Sequence, residues 1–244
     1  MMTPLIALEH VYKAYGPKAV LVNLNLVVYA GEHVVVLGRS GSGKSVAIKC
    51  IAGLTKIDQG VVRLMGHDIT HSDENALSPL RQKMGFLFQS AALYDSMTVG
   101  DNLAFTLNHN QPGLAPEILE KKVRATLQNV GLESAIDLMP GALSGGMRKR
   151  IGLARALIID PEVLLYDEPT AGLDPITAKE ITDLMLRIKA DYHPTAVIIT
   201  HDLACAAHTA DRIVVLHEGQ IIQSGTYEAL AQSDHPMVHA FFNP

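Results

Sequence analysis

The chain has 244 residues, 48% of them hydrophobic, which is enough for one large α/β domain or two small ones and excludes a disordered protein. A formal net charge of −5 and a pI near 6.1 give no bulk attraction to nucleic acid or to an anionic membrane, so non-specific phosphate-backbone binding is not expected as the main activity, although a local basic patch is compatible with this charge. No window approaches roughly eighteen uninterrupted apolar residues and no basic-then-apolar leader opens the chain, so a protein that stays in the cytoplasm is expected.

From Leu5 to Tyr29 the pattern is that of strands, with Val22, Leu24, Leu26 and Val28 alternating with Asn23, Asn25 and Val27. Tyr15 stands just before the Gly16-Pro17 turn, where its face could stack on an adenine; taken alone, a tyrosine at a strand end usually serves packing. The apolar run Val34–Leu37 then leads into Gly38, Arg39, Ser40, Gly41, Ser42, Gly43, Lys44 and Ser45, followed by a helical stretch from Val46 to Ala52. Strand, glycine loop and helix in this order make a P-loop, whose backbone N–H groups curl around phosphate oxygens at the positive end of the helix dipole. In that arrangement Lys44 neutralises the terminal phosphates and the Ser45 hydroxyl ligates Mg²⁺.

Further along, Gly60–Gly66 reads as a short strand, and a polar loop with Asp68 and Asp73 leads to Leu77. Met84–Gln89 reads as a buried strand ending on Gln89, which could reach a phosphate site because open α/β sheets bind ligands beyond the carboxyl ends of their strands. From about Met97 to Ile159 the periodicity becomes helical, with Leu119, Val123, Leu127 and Val130 on one face. There Ser144, Gly145 and Gly146 open a helix whose buried face carries Ile151, Ala154, Leu157 and Ile158. Taken locally this is an N-cap without a ligand, and Arg148-Lys149-Arg150 is a solvated face.

Val163–Tyr166 is a continuously apolar strand, as in a parallel sheet, and it stops on Asp167 and Glu168. Beside a P-loop, Asp167 would hold Mg²⁺ and Glu168 would polarise the attacking water. Asp174 caps a helix with Pro175 in its first position and Ile181, Leu184, Met185 and Ile188 as its buried stripe. Ala196–Thr200 is another apolar strand, ending on His201, and a hairpin from Arg212 to Ile222 and a short helix near Glu228 complete the chain. Cys50 and Cys205 have no metal or redox spacing and read as buried small side chains, and the pair His67 and His71 is assigned no ligand role.

Taken together these residues resemble the nucleotide-binding domain of ATP-binding cassette (ABC) transporters over essentially the whole chain. Gly38–Ser45 matches the Walker A motif, Gln89 the Q-loop, Leu143–Met147 the signature, Val163–Glu168 the Walker B motif, Ala171–Asp174 the D-loop and His201 the switch histidine. The resemblance implies an α/β P-loop ABC ATPase fold over residues 1–244, with a parallel core sheet, an antiparallel β subdomain and a helical subdomain at about 97–159 inserted in a RecA-like core. It implies a Mg²⁺-dependent ATPase in which Glu168, His201 and Gln89 are catalytic and Ser45, Gln89 and Asp167 serve the metal. ATP would be bound by Tyr15, the loop from Gly38 to Ser45 and Val46, and by Ser144, Gly145, Gly146 and Asp174, the signature closing over the γ-phosphate of the opposite subunit.

In place of the usual glutamine after the signature glycines stands Met147, followed by Arg148-Lys149-Arg150. That wording, with Leu87–Val99 and Gly172–Ile176, is similar to the ATPases of the bacterial Mla/Mce phospholipid-transport systems. A homodimer at the cytoplasmic face of the inner membrane is then expected, with integral membrane permease subunits and Mce-domain accessory proteins as partners. A different cargo, such as an amino acid, a drug or another lipid, is the alternative expectation.

Overall fold

The computed structural model describes residues 3–242. They fall into two compact units, one built from residues up to 81 together with those from 193 onward, the other from residues 82–192.

The first unit begins with a hairpin of β1 (Ile6–Tyr15) and β2 (Lys18–Val28). Its buried face is Ile6, Leu8, Val11, Leu21, Leu24, Leu26 and Val28. The simple alternation expected from Val22 onward is interrupted: the register slips near His10 and Asn23, which have φ of 50° and 52°, and Leu21 rather than Val22 takes the buried position. After β3 (His33–Leu37), buried at every position, come α1 (Lys44–Ile51), β4 (Gln59–Leu64) and β5 (His67–Asp68). The antiparallel sheet runs β2-β1-β4-β5. Where the sequence reads as a polar loop, α2 (Glu74–Arg81) forms instead. Asp73 Oδ1 accepts the Ala76 N–H at 2.9 Å, Leu77 is buried, and Arg81 donates to the Ala52 and Gly53 carbonyls.

The second unit contains β6 (Met84–Leu87), α3 (Val99–Asn110), α4 (Pro116–Asn129), α5 (Gly145–Leu157), β7 (Val163–Asp167) and α6 (Pro175–Tyr192). Strands β6 and β7 are parallel, and α5 packs on β6, α3, α4 and α6. Its apolar stripe of Ile151, Leu153, Ala154 and Leu157 is buried, as is the predicted stripe of α6.

The chain then returns to the first unit as β8 (Thr195–Thr200), α7 (Leu203–Thr209), β9 (Arg212–His217), β10 (Gln220–Gly225), α8 (Tyr227–Ala231) and α9 (Pro236–Phe242). Strand β3 is flanked by β8 and β9, parallel to both, and β10 closes that edge antiparallel to β9. Buried valines and isoleucines on β3 and β8 reflect a sheet covered on both faces. Among the described residues no helix is long and apolar enough to cross a membrane.

Candidate functional site

In the first unit the glycine loop leaves β3 at Gly38 and enters α1 at Lys44. Gly43 has φ of 107°, and a Cβ there would lie 2.7 Å from the Val20 carbonyl oxygen, so only glycine fits. No side chain caps α1, which leaves its positive end turned to the loop. The buried Lys44 ammonium donates to the Gly38 carbonyl at 2.7 Å and to that of Arg39 at 3.3 Å. The Ser42 hydroxyl is buried without a hydrogen-bond partner. Arg39, Ser40, Gly41 and Ser45 are exposed and Val46 is half-buried; the Arg39 guanidinium lies 5.9 Å from the Phe241 ring centre.

His201 is brought to the same sheet end. Leu37 and Thr200 are register partners, and the Gly38 N–H donates to the Thr200 carbonyl at 3.3 Å. His201 itself is exposed, and the following Asp202 caps α7 through the Ala204 and Cys205 N–H groups. Tyr15 ends β1 with 52% of its surface exposed, and Lys13 Nζ lies 5.3 Å from its ring centre. Asp58 fixes this strand end, pairing with Lys13 at 2.8 Å and accepting the Ala14 N–H at 2.7 Å. Lys13 first, and then the Ala14 N–H, hold the Asp58 carboxyl below its ordinary range. The hairpin adjoins the loop through Gly219, whose N–H donates to the Ser42 carbonyl and whose carbonyl accepts the Val22 N–H.

In the second unit the pairing of Leu87 with Tyr166 makes Gln89 and the Asp167-Glu168 pair leave adjacent parallel strands at the same end. Both carboxylate residues are 8% exposed, Gln89 is exposed, and Glu168 has φ of 49°, a conformation disfavoured for any residue with a Cβ. Beyond Gln89, Ala91 and Ala92 both have positive φ, and Arg155 donates to both carbonyls. Asn102, fully buried, bonds the carbonyls of Tyr94, Met97 and Thr98 and the Tyr94 N–H, fixing the loop that exposes Tyr94.

The signature also lies in this unit. Ser144 caps α5 by accepting the Met147 N–H at 3.2 Å, as its sequence context implies. Gly146 sits against α6, where a Cβ would come within 2.5 Å of Thr177 Cγ2. Asp174 caps α6, accepting the Ile176 and Thr177 N–H groups and the Thr177 hydroxyl, which donates at 2.6 Å. These bonds, the hydroxyl first, lower the Asp174 pKa.

Contrary to expectation, Arg148-Lys149-Arg150 is not a uniformly solvated face. Arg148 is exposed and Arg150 pairs with Glu180, but Lys149 is 5% exposed, and its ammonium donates to the Glu168 carbonyl at 2.9 Å. Successive helix positions turn by about 100°, so three adjacent charges cannot share one environment. Asp58 and Arg155 lie in no motif, and only tertiary contacts reveal them.

The uncapped helix end, the orphaned Ser42 hydroxyl and the inturned Lys44 suit a phosphate group, and Ser45, Gln89 and Asp167 are hard oxygen donors of the kind Mg²⁺ takes. Fold and loop together define an α/β P-loop nucleotide-binding protein. The family model described as "ABC transporter" matches residues 21–171. The probable ribonucleotide transport ATP-binding protein mkl of Mycobacterium leprae is 38% identical over 98% of this chain and 68% of its own length. The methionine import ATP-binding protein MetN of Brucella abortus is 37% identical over 97% of this chain and 64% of its own length. Several such relatives are thus matched over less than two thirds of their length. The ATP-binding cassette MJ0796, solved as a dimer in a post-hydrolysis state with ADP and Pi, superposes with a TM-score of 0.85 at 31% identity, covering 92% of this chain and 99% of that one. CbiO1 of Clostridium perfringens, part of the ABC transporter complex cbiONQ, gives 0.83 at 28% identity over 92% and 89%. The chain belongs to the ABC transporter family, as an ATP-binding subunit.

Proposed function

We propose that the chain is a Mg²⁺-dependent ATPase that works as a homodimer and powers phospholipid transport between bacterial membranes. The observation that supports the ATPase reading is that each unit by itself gathers polar groups beyond one end of a pair of parallel strands: the glycine loop with His201 in one, and Gln89 with Asp167 and Glu168 in the other. Lys44 and the loop N–H groups bind the phosphates, Tyr15 stacks on the adenine, and Glu168 orients the attacking water. His201 contacts the γ-phosphate and Gln89 senses its state. Ser45, Gln89 and Asp167 would hold Mg²⁺, which neutralises charge developing on the phosphates when bound. Ser144, Gly145 and Gly146 of one copy close on the ATP held by the other, with Asp174 beside them. The subunit sits at the cytoplasmic face of the inner membrane by binding integral permease subunits, and the surface from Ser90 to Met97 meets them.

The lipid cargo rests on the wording Met147–Arg150 and on its Mla/Mce resemblance. The likeness to MetN favours a second reading, amino-acid import. Purifying the native complex separates them. A permease with a Mce-domain protein is the expected result, and an amino-acid-binding protein in its place would overturn the lipid assignment.

A further inference from the structure

Lys149 is a charged side chain buried inside the signature helix, four residues beyond Gly145, and its bonded partner is not a carboxylate but the backbone carbonyl of Glu168. That carbonyl belongs to a residue in the left-handed region at φ of 49°, a conformation that persists only where surrounding bonds impose it. Burying an ammonium is costly, and a neutral apolar side chain of similar length would fill the same space at less cost. The two carboxylates of Asp167 and Glu168 offset part of that cost: burial pushes the Lys149 pKa down, and both acids push it back up.

We propose that Lys149 is a positioning residue for hydrolysis: by clamping the Glu168 carbonyl it holds the strained backbone that sets the Glu168 carboxylate, and it ties that carboxylate to the signature helix of the same chain. Movement of α5 on engaging a second copy's nucleotide would then reach the chain's own water-orienting residue through the Lys149 bond, which shares that carbonyl with the Ala171 N–H at 3.2 Å. This rests on the reading of Glu168 as the residue that orients water.

The test compares wild type, K149M, K149R and E168Q as full chains in the assembly that turns over ATP, with kcat, KM for ATP, affinity for a fluorescent ATP analogue and thermal midpoint measured for each. K149M should lose at least about tenfold in kcat with KM and analogue affinity within about twofold, because the P-loop is untouched. K149R, which keeps a charged donor, should recover to within about threefold of wild type. Combined with E168Q, K149M should lower residual turnover no further, since both act through one group. Normal kcat in K149M with an inactive E168Q overturns the inference alone, as does a loss that appears in KM or nucleotide affinity. Should K149M fail to fold, a folded K149R with lost turnover overturns it. Full turnover by E168Q removes the reading of Glu168 and this inference with it.

Discussion

Leu37 and Thr200 face each other in adjacent parallel strands, so Gly38 and His201 leave the sheet beyond the same rung. That backbone pairing puts the start of the glycine loop and the histidine at the same end of the sheet. On the proposed role of His201 at the γ-phosphate, His201→Ala should slow hydrolysis while leaving the glycine loop in place. We predict a fall in turnover of about a hundredfold with KM for ATP nearly unchanged, measured by steady-state kinetics. A rise in KM with normal kcat would assign His201 to binding instead.

The close approach of Gly146 to Thr177 makes a second prediction. In Gly146→Ala the new methyl would stand 2.5 Å from Thr177 Cγ2 and force α5 away from the start of α6. Turnover should drop at least about tenfold while nucleotide affinity holds. Adding Thr177→Ser removes the clashing methyl but keeps the hydroxyl that donates to Asp174, so the double variant should regain most of the activity. Failure of this rescue would show that Gly146 is needed for something other than space.

Asp58 links the Tyr15 strand end to its neighbours through Lys13 and the Ala14 N–H. Asp58→Ala should raise KM for ATP about two- to fivefold with little change in kcat. Its folded pKa is depressed, so the contribution of this carboxylate to stability is present above the ordinary aspartate pKa and is lost as pH falls through the lower folded value. Thermal melts should therefore show the variant and wild type separated at neutral pH and converging at acid pH. A separation that grows on acidification would contradict this.

Pairing of two copies is tested by Ser40→Cys with Ser144→Cys, placed on the loop and at the α5 cap. Oxidation with ATP present should yield a covalent dimer, whereas a bond formed only within single chains would contradict the head-to-tail arrangement.

Where the candidate site residues lie could largely be read from residue types, because each strand announces its own end. The apolar runs before Gly38, Asp167 and His201 stop where polar groups begin, and β3, β7 and β8 stop within a residue of those positions. Ser144 and Asp174 were equally legible, since a short polar side chain before a helical stripe has a local reason to be there. Other features have no local cause. Helix α2 was hidden by Pro79 and by its polar surface, with Leu77 as its one buried residue. Ala91 and Ala92 carry no sign of a left-handed backbone, which Arg155 stabilises from more than sixty positions away. Lys149 looks solvated in the sequence because its neighbours are charged, and only the fold puts it against the Glu168 carbonyl.

Closure of two copies around ATP, with Glu168 then driving hydrolysis, is the step on which the proposed function depends. It is tested most directly by size-exclusion chromatography of Glu168→Gln with ATP and Mg²⁺, alongside its rate of phosphate release. A stable dimer retaining two uncleaved ATP molecules, with turnover down about a thousandfold, is the predicted result. A variant that stays monomeric with ATP, or that hydrolyses it at the wild-type rate, would contradict the account.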